Sequence, residues 1–422
     1  MSSAHFSTEG NPRSLRGLHL ALNTNLKQTS KGWIVPSQSS SGKYVVPLDL
    51  SMCTCRDYEE RQAPCKHMYA VMHTLGGLEE LDHEPDLDPP QARVSYSQDW
   101  TAYNLAQTTE KAMFQVLLRD LCYDLPELPR MLGAYPGGRK PHRLKDMLFS
   151  IVFKIYSTVS GRRFMTDLKE AHDKGYIKRT PHFNSLYNYL DKLELTPILR
   201  HLITVTALPL KSVEVDFAVD STGISNNRFV KWFNVKHGKE IDYSDWVKLH
   251  LMCGVKTNVV TSVEISTRHE HDTNYFAPLV ETTAQHFNME EVSADLAYSS
   301  RDNLHTVMRN GGVPYIPFKK NATGETGGDQ LWRIMFHYYS MRRDEFLSHY
   351  HKRSNAETTM SMIKGKFGDA VRGKSETAQI NEVLCKVLAH NICCLIHSFY
   401  ELGIEPSFCA ESELAQYLTD LR

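Results

Sequence analysis

Tyr350, Arg353, Glu357 and Lys364 follow one another at spacings of three, four and seven residues. On a helix of 3.6 residues per turn all four project within about 60° of one another. Such a face carries an aromatic ring, two cations and a carboxylate. That set suits the holding of a phosphodiester beside a metal ion far better than it suits a core stripe. Two further carboxylates lie upstream at the ends of strand-like runs, Asp220 in Val-Asp-Ser-Thr-Gly and Asp295 in Val-Ser-Ala-Asp. Phosphodiester transfer needs two hard cations about 3.5–4 Å apart, which stabilise the attacking and leaving oxygens. Mg²⁺ takes oxygen ligands, of which one or two carboxylates per ion suffice beside phosphate and water. Three carboxylates from separate elements, meeting at one place, can hold two ions.

Val213-Glu-Val-Asp-Phe-Ala-Val-Asp alternates as a half-buried strand does. Asp216, Ala218 and Asp220 then share one face, with the two aspartates about 13 Å apart, too far for both to join one compact two-metal site. Other readings exist for single residues. Asp220 and Asp295 each suit an ordinary strand end or turn, Ser354-Asn-Ala-Glu357 is also a capping box, and Asp272 suits a helix N-cap better than a metal site.

A second cluster lies near the N-terminus. Cys53-Thr-Cys55, nine intervening residues, then Cys65-Lys-His67 supply three thiolates and an imidazole, a common structural donor set for tetrahedral Zn²⁺. His73 is an alternative to His67. A module of about 45 residues buries little apolar surface without such a staple, and four protein ligands leave no open position for catalysis.

Composition bounds the rest. The 422 residues, 41% hydrophobic and 23% charged, describe a soluble globular protein of two or three domains. The net charge of −1 conceals a basic stretch, with 14 Lys/Arg against 6 Asp/Glu between 139 and 211, and an acidic one at 79–99. Within the first, Arg139-Lys140, Arg162-Arg163 and Lys178-Arg179 could meet DNA phosphates. Nine cysteines in a chain of this length suit buried thiols in a reducing compartment. No secretory signal is evident, and the most apolar stretch, 383–399, is interrupted by Lys386, His390 and Asn391 and is short for a membrane span. The expectation is a cytoplasmic protein without a membrane partner or small-molecule substrate.

Periodicity divides the chain into a flexible N-terminus (1–32), a zinc module (33–78), an acidic linker (79–103), a helical DNA-binding region (104–208), an α/β domain (209–403) and a C-terminal tail (404–422). The α/β part begins with strands at 213–220, 229–235, 249–255 and 259–265. Helices and strands then alternate, a pattern expected of an RNase H-like mixed sheet flanked by helices.

Together these residues resemble the DDE catalytic domain of insertion-sequence transposases, in the group marked by Tyr-x2-Arg-x3-Glu-x6-Lys, and the match at Tyr350–Lys364 is complete. The resemblance extends over about 135–403. It selects Asp220, because Asp-Ser-Thr-Gly matches the family's first block, and Asp295, although Leu296 and Ala297 replace the usual Lys-Gly. It also covers Trp246-Val-Lys-Leu-His, His271-Asp272, Asn381-Glu382 and His390-Asn391. The Cys/His cluster resembles a SWIM zinc finger.

The resemblance implies Mg²⁺- or Mn²⁺-dependent cleavage at element ends and attack of the released 3′-OH on target DNA. Asp220, Asp295 and Glu357 would hold two ions, Arg353 and Lys364 would grip phosphates, Tyr350 would lie beside them, and the chain would act as a homodimer on double-stranded DNA. A domesticated relative that binds DNA without cutting it is the alternative. The zinc, one ion, would be structural.

Overall fold

The computed structural model describes residues 12–37, 42–75, 99–123, 125, 141–226, 246–267, 270–324, 327–406 and 408. They form two compact units, divided between Tyr96 and Ser97.

The first unit opens with helix α1 (Pro12–Asn23). Within the stretch 1–32, expected to be flexible, residues 12–23 form this helix and bury Leu20, while 1–11 lie outside the described residues. α1 is followed by an antiparallel sheet of β1 (Lys27–Thr29), β2 (Gly32–Pro36) and β3 (Lys43–Val46). The short helix α2 (Arg56–Arg61) and α3 (Lys66–Leu75) complete it. α1 and α3 approach closely at Gly17, where a Cβ would stand 2.5 Å from that of Tyr69. Leu20, Trp33, Val35, Val46, Met68 and Val71 pack with the three cysteines of the cluster in one small core.

The second unit begins with five helices: α4 (Trp100–Leu121), α5 (Leu144–Ser157), α6 (Gly161–Asp173), α7 (Phe183–Leu190) and α8 (Leu195–Ala207). The sheet follows: β4 (Asp216–Ser225), β5 (Trp246–Gly254), β6 (Val260–Thr267), then α9 (Thr273–Ala284), β7 (Glu291–Ala294), α10 (Arg301–Arg309) and β8 (Val313–Tyr315). Its order is β6-β5-β4-β7-β8. β4, β5 and β6 form an antiparallel meander, and β7 and β8 add in parallel after helical crossovers. This is the mixed, RNase H-like sheet. The expected strand at 229–235 lies outside the described residues, as do most of the acidic linker and nearly all of the C-terminal tail.

Among the described residues four more helices follow: α11 (Gln330–Met341), α12 (Arg343–Tyr350), α13 (Ser354–Phe367) and α14 (Glu376–Leu402). α14, at 27 residues, is long and apolar enough to cross a membrane, where the sequence suggested a shorter segment. It is instead the central core helix, with 83% of its most apolar window buried, packed on α4, α5, α7 and α8. Its buried amides join it to the rest. Asn391 accepts from the Val260 N–H and donates to the carbonyls of Ile203 and Val260. Asn381 accepts from the Thr196 hydroxyl and donates to the Leu190 and Lys192 carbonyls. Because α14 packs on α4, α5, α7 and α8 while its own residues reach β6, the region 104–208 and the sheet share a single hydrophobic core.

Candidate active site and metal centre

β4 and β7 run parallel, with Asp216 opposite Glu291 and Val219 opposite Ala294. Asp220 and Asp295 each follow the last of these pairs, so they stand on neighbouring strands about 4.8 Å apart along the hydrogen-bonding direction. Alternation turns Phe217 and Val219 into the core and leaves Asp216 and Asp220 half-buried on the other face. Asp295 ends its strand, its carboxylate accepting from the Leu296 N–H at 2.5 Å.

The third carboxylate arrives from above. α12, a single 3₁₀ turn (His351–Arg353) and α13 form one continuous run with helical backbone angles throughout. The helix label does begin again at Ser354, yet Tyr350 and Arg353 remain in register with Glu357. No side chain caps α13, and Ser354 Oγ donates to the His351 carbonyl. The capping-box alternative for Glu357 is thereby removed. Instead Arg353 donates from Nη1 to Asp220 Oδ2 at 3.1 Å and from Nη2 to Glu357 Oε1 at 2.6 Å. One planar guanidinium ties the strand carboxylate to the helix carboxylate. Its Cζ lies 5.9 Å from the centroid of the Tyr350 ring. Lys364 donates to the Thr222 hydroxyl, two residues beyond Asp220 on the same strand face.

The electrostatics are strained in a particular direction. Burial is the largest influence on Asp220 and raises its pKa; the Ser221 N–H and Arg353 oppose this, while the charges of Asp295 and Glu357 add to it. Asp295 and Asp220 also help to hold the Tyr350 hydroxyl above its usual range, after burial. The donor type, three carboxylates, is the one a hard divalent cation takes; in this structure the Arg353 guanidinium stands between two of them.

Of the outlying basic residues, Arg162 and Arg163 are exposed at the start of α6, with the Arg162 guanidinium 5.4 Å from the Phe183 ring. Arg139 and Lys140 lie outside the described residues.

Sequence reasoning passed over Lys352 and gave His250 no role of its own. Lys352 bridges Asp216 and Glu291 at 2.6 and 2.7 Å. The sign was present in the four-residue spacing shared by Asp216/Asp220 and Glu291/Asp295, which places a second acidic pair on the same strand faces. On the other side of β4, His250 lies opposite Ser221, bonds Ser266 Oγ at 2.8 Å and stacks on Tyr275. Burial lowers its pKa to about 4, so it is neutral. Asp272 stands at the N-cap position of α9, as expected, but makes no cap hydrogen bond and pairs with Lys248 instead.

In the first unit Cys53, Cys55, Cys65 and His67 are all buried, and their ligating atoms lie within 4.8 Å of one another. His67 Nδ1 is 3.9 Å from Cys53 Sγ and 3.8 Å from Cys65 Sγ, close to the edges of about 3.5–3.8 Å that a tetrahedral zinc site with ordinary Zn–S and Zn–N bonds requires. The Cys65 thiol is pulled down, chiefly by the hydrogen bond from Cys53. The alternative ligand His73 bonds Ser14 Oγ across α1 and α3 instead. The cluster fits a closed, structural zinc site.

Residues 211–392 match the family model described as Transposase DDE domain, and residues 44–76 match that of the SWIM zinc finger. The first match begins just before β4 and ends within α14, so it takes in all three carboxylates. No solved structure matches the chain. The fold and sites therefore describe an α/β unit with a mixed sheet and a separate module whose buried donors fit structural zinc. Over these stretches the chain is similar to a transposase DDE domain and to a SWIM zinc finger.

Proposed function

We propose that this chain is an active insertion-sequence transposase that cleaves DNA at element ends and joins the freed 3′-OH to target DNA. The observation that carries the reading is the Arg353 guanidinium bonded to both Asp220 and Glu357, with the charges of Asp295 and Glu357 both felt at Asp220. Asp220, Asp295 and Glu357 would hold two Mg²⁺ or Mn²⁺ ions, which supply Lewis-acid stabilisation of the attacking and leaving oxygens.

The chain's own contribution is position and charge. The parallel pairing of β4 and β7 fixes two carboxylates side by side before DNA arrives, which reduces the reorganisation needed at reaction. Arg353 keeps Glu357 turned toward Asp220 and offers a fork suited to phosphate oxygens. Lys364, half-buried against Thr222, presents a second cation along the same strand face. Burial lowers its pKa, partly offset by Asp369. Tyr350 lies beside both aspartates, where it can pack against the sugar–phosphate chain. Arg162, Arg163, Arg139 and Lys140 are assigned to contacts with more distant phosphates. A homodimer on double-stranded DNA, with each subunit cutting one end, completes the reading. The free, buried cysteines support a cytoplasmic setting.

Incubation of the full chain with an end-containing duplex and a target plasmid, in Mg²⁺ or Mn²⁺, tests this. Cleaved ends and joined products are expected. Binding without either product would leave a DNA-binding protein only.

A further inference from the structure

Lys352 occupies the position immediately before Arg353, yet it faces a different pair of acids. Its ammonium is 2.6 Å from Asp216 Oδ2 and 2.7 Å from Glu291 Oε2. Asp216 and Glu291 are register neighbours on parallel strands, each four residues upstream of a triad aspartate on the same strand face. Two like charges so placed repel unless a cation lies between them. Burial works against the charge on Lys352, but the hydrogen bonds and charges of Asp216 and Glu291 outweigh it and raise its pKa. His349 extends the contact: its Nδ1 is 2.8 Å from Glu291 Oε1, and its ring stacks on Tyr315 of β8 at 4.5 Å and 9°. Residues 349–353 are thus fastened to β4, β7 and β8 directly below the triad.

Glu357 has no such anchor in the sheet. Its side chain is 57% exposed, and Arg353 orients it. The helix run nevertheless has its own apolar anchors in Phe346, Ala356, Met360 and Ile363. Lys352 is therefore dispensable for packing this segment and decisive for its exact seat. A misplacement of about 1 Å at a reacting site costs on the order of 100-fold in rate.

We propose that Lys352 is a positioning residue for the reaction: by clamping Asp216 and Glu291 it sets where Arg353 and Glu357 stand over Asp220, and so sets the affinity of the triad for its metal ions. This rests on the reading of Asp220, Asp295 and Glu357 as metal ligands. Lys352 pairs with Asp216 and Glu291 and acts on the triad through Arg353 and Glu357.

The test uses the full-length chain and Mn²⁺ as the probe, followed by the paramagnetic signal of free Mn²⁺ without DNA and by cleavage rate against Mn²⁺ concentration. Lys352→Met should raise the half-saturating Mn²⁺ concentration about tenfold in both assays, the lower end of what loss of an orienting partner costs a metal site. Lys352→Arg, which keeps the cation, should recover most of this. If Lys352→Met does not fold, Asp216→Asn/Glu291→Gln/Lys352→Met leaves no charge uncompensated and should show the same raised half-saturation. Wild-type Mn²⁺ affinity in the folded variant overturns the proposal, including the case in which activity falls only in step with melting temperature. Asp220→Asn runs alongside. If it leaves Mn²⁺ binding untouched, the triad reading itself fails and this proposal with it, a result distinct from failure of the clamp alone.

Discussion

Arg353 Nη1 lies 3.1 Å from Asp220 Oδ2, so the cation that sequence spacing offers to DNA is, in this structure, the counter-ion of the strand carboxylate. Its side chain is only 20% exposed. The same guanidinium holds Glu357, which makes it a structural member of the site as well as a candidate phosphate ligand.

Arg353→Ala should consequently do two things. It leaves three mutually repelling carboxylates without their guanidinium, so melting temperature in Mg²⁺-free buffer should fall, and added Mg²⁺ should recover part of the loss by mass action. It should also weaken binding to cleaved-end DNA and lower the salt slope by about one. Arg353→Lys should rescue poorly, because an ammonium cannot fork between two carboxylates. Differential scanning calorimetry with and without Mg²⁺ checks the first effect, and a salt titration of DNA affinity the second.

The pH dependence of Asp220 has a definite sign. Its carboxyl pKa is raised in the folded chain, first by burial. The group therefore favours folding below its unfolded pKa, and this contribution is lost as pH rises through the folded value. At neutral pH the charged form costs stability. In Mg²⁺-free buffer Asp220→Asn should melt above wild type near pH 7, and the gap should close as pH falls toward the ordinary aspartate range. A gap that is constant with pH would separate Asp220 from the electrostatics described.

Much of this was legible from residues alone. Strict alternation fixed the face of β4, and the Tyr350–Lys364 spacing fixed the helix. The Cys-x-Cys and Cys-x-His steps identified a zinc cluster whose atoms do converge. What could not be read was tertiary. The pairing of Asp216 with Glu291 depends on a crossover between β4 and β7, and nothing local announces that register. Asn391 reads as an interruption of an apolar stretch until α8 and β6 appear opposite it. The N-terminal helix was missed because its apolar face is short and its partner, α3, lies 43 residues on from its end.

Chelation of the zinc module should unfold it while sparing the DDE unit, because metal binding there is coupled to folding. One zinc per chain is expected by elemental analysis. Cys65→Ser or His67→Ala should release it and expose residues 33–75 to protease. A zinc-free chain whose first unit resists protease as wild type does would contradict the assignment.

Asn391→Ala removes a buried amide that serves α8 and β6 together. The partners it leaves unpaired should cost about 2–4 kcal/mol in total, read by urea unfolding of the second unit. Leu or Asp at the position should be no better, since neither reproduces both donor and acceptor.

Cleavage of an end-containing duplex in Mg²⁺ and Mn²⁺, scored beside a gel shift, tests the central claim most directly. Asp220→Asn, Asp295→Asn and Glu357→Gln preserve shape and remove one metal-binding charge each. Each should reduce cleavage by about 1000-fold or more, since ion contacts to the transition state are worth several kcal/mol, with DNA binding largely kept. Asp216→Asn, four residues away and engaged by Lys352, should lose less and recover at high metal concentration. Near-wild-type cleavage by any of the three triad variants would contradict the account.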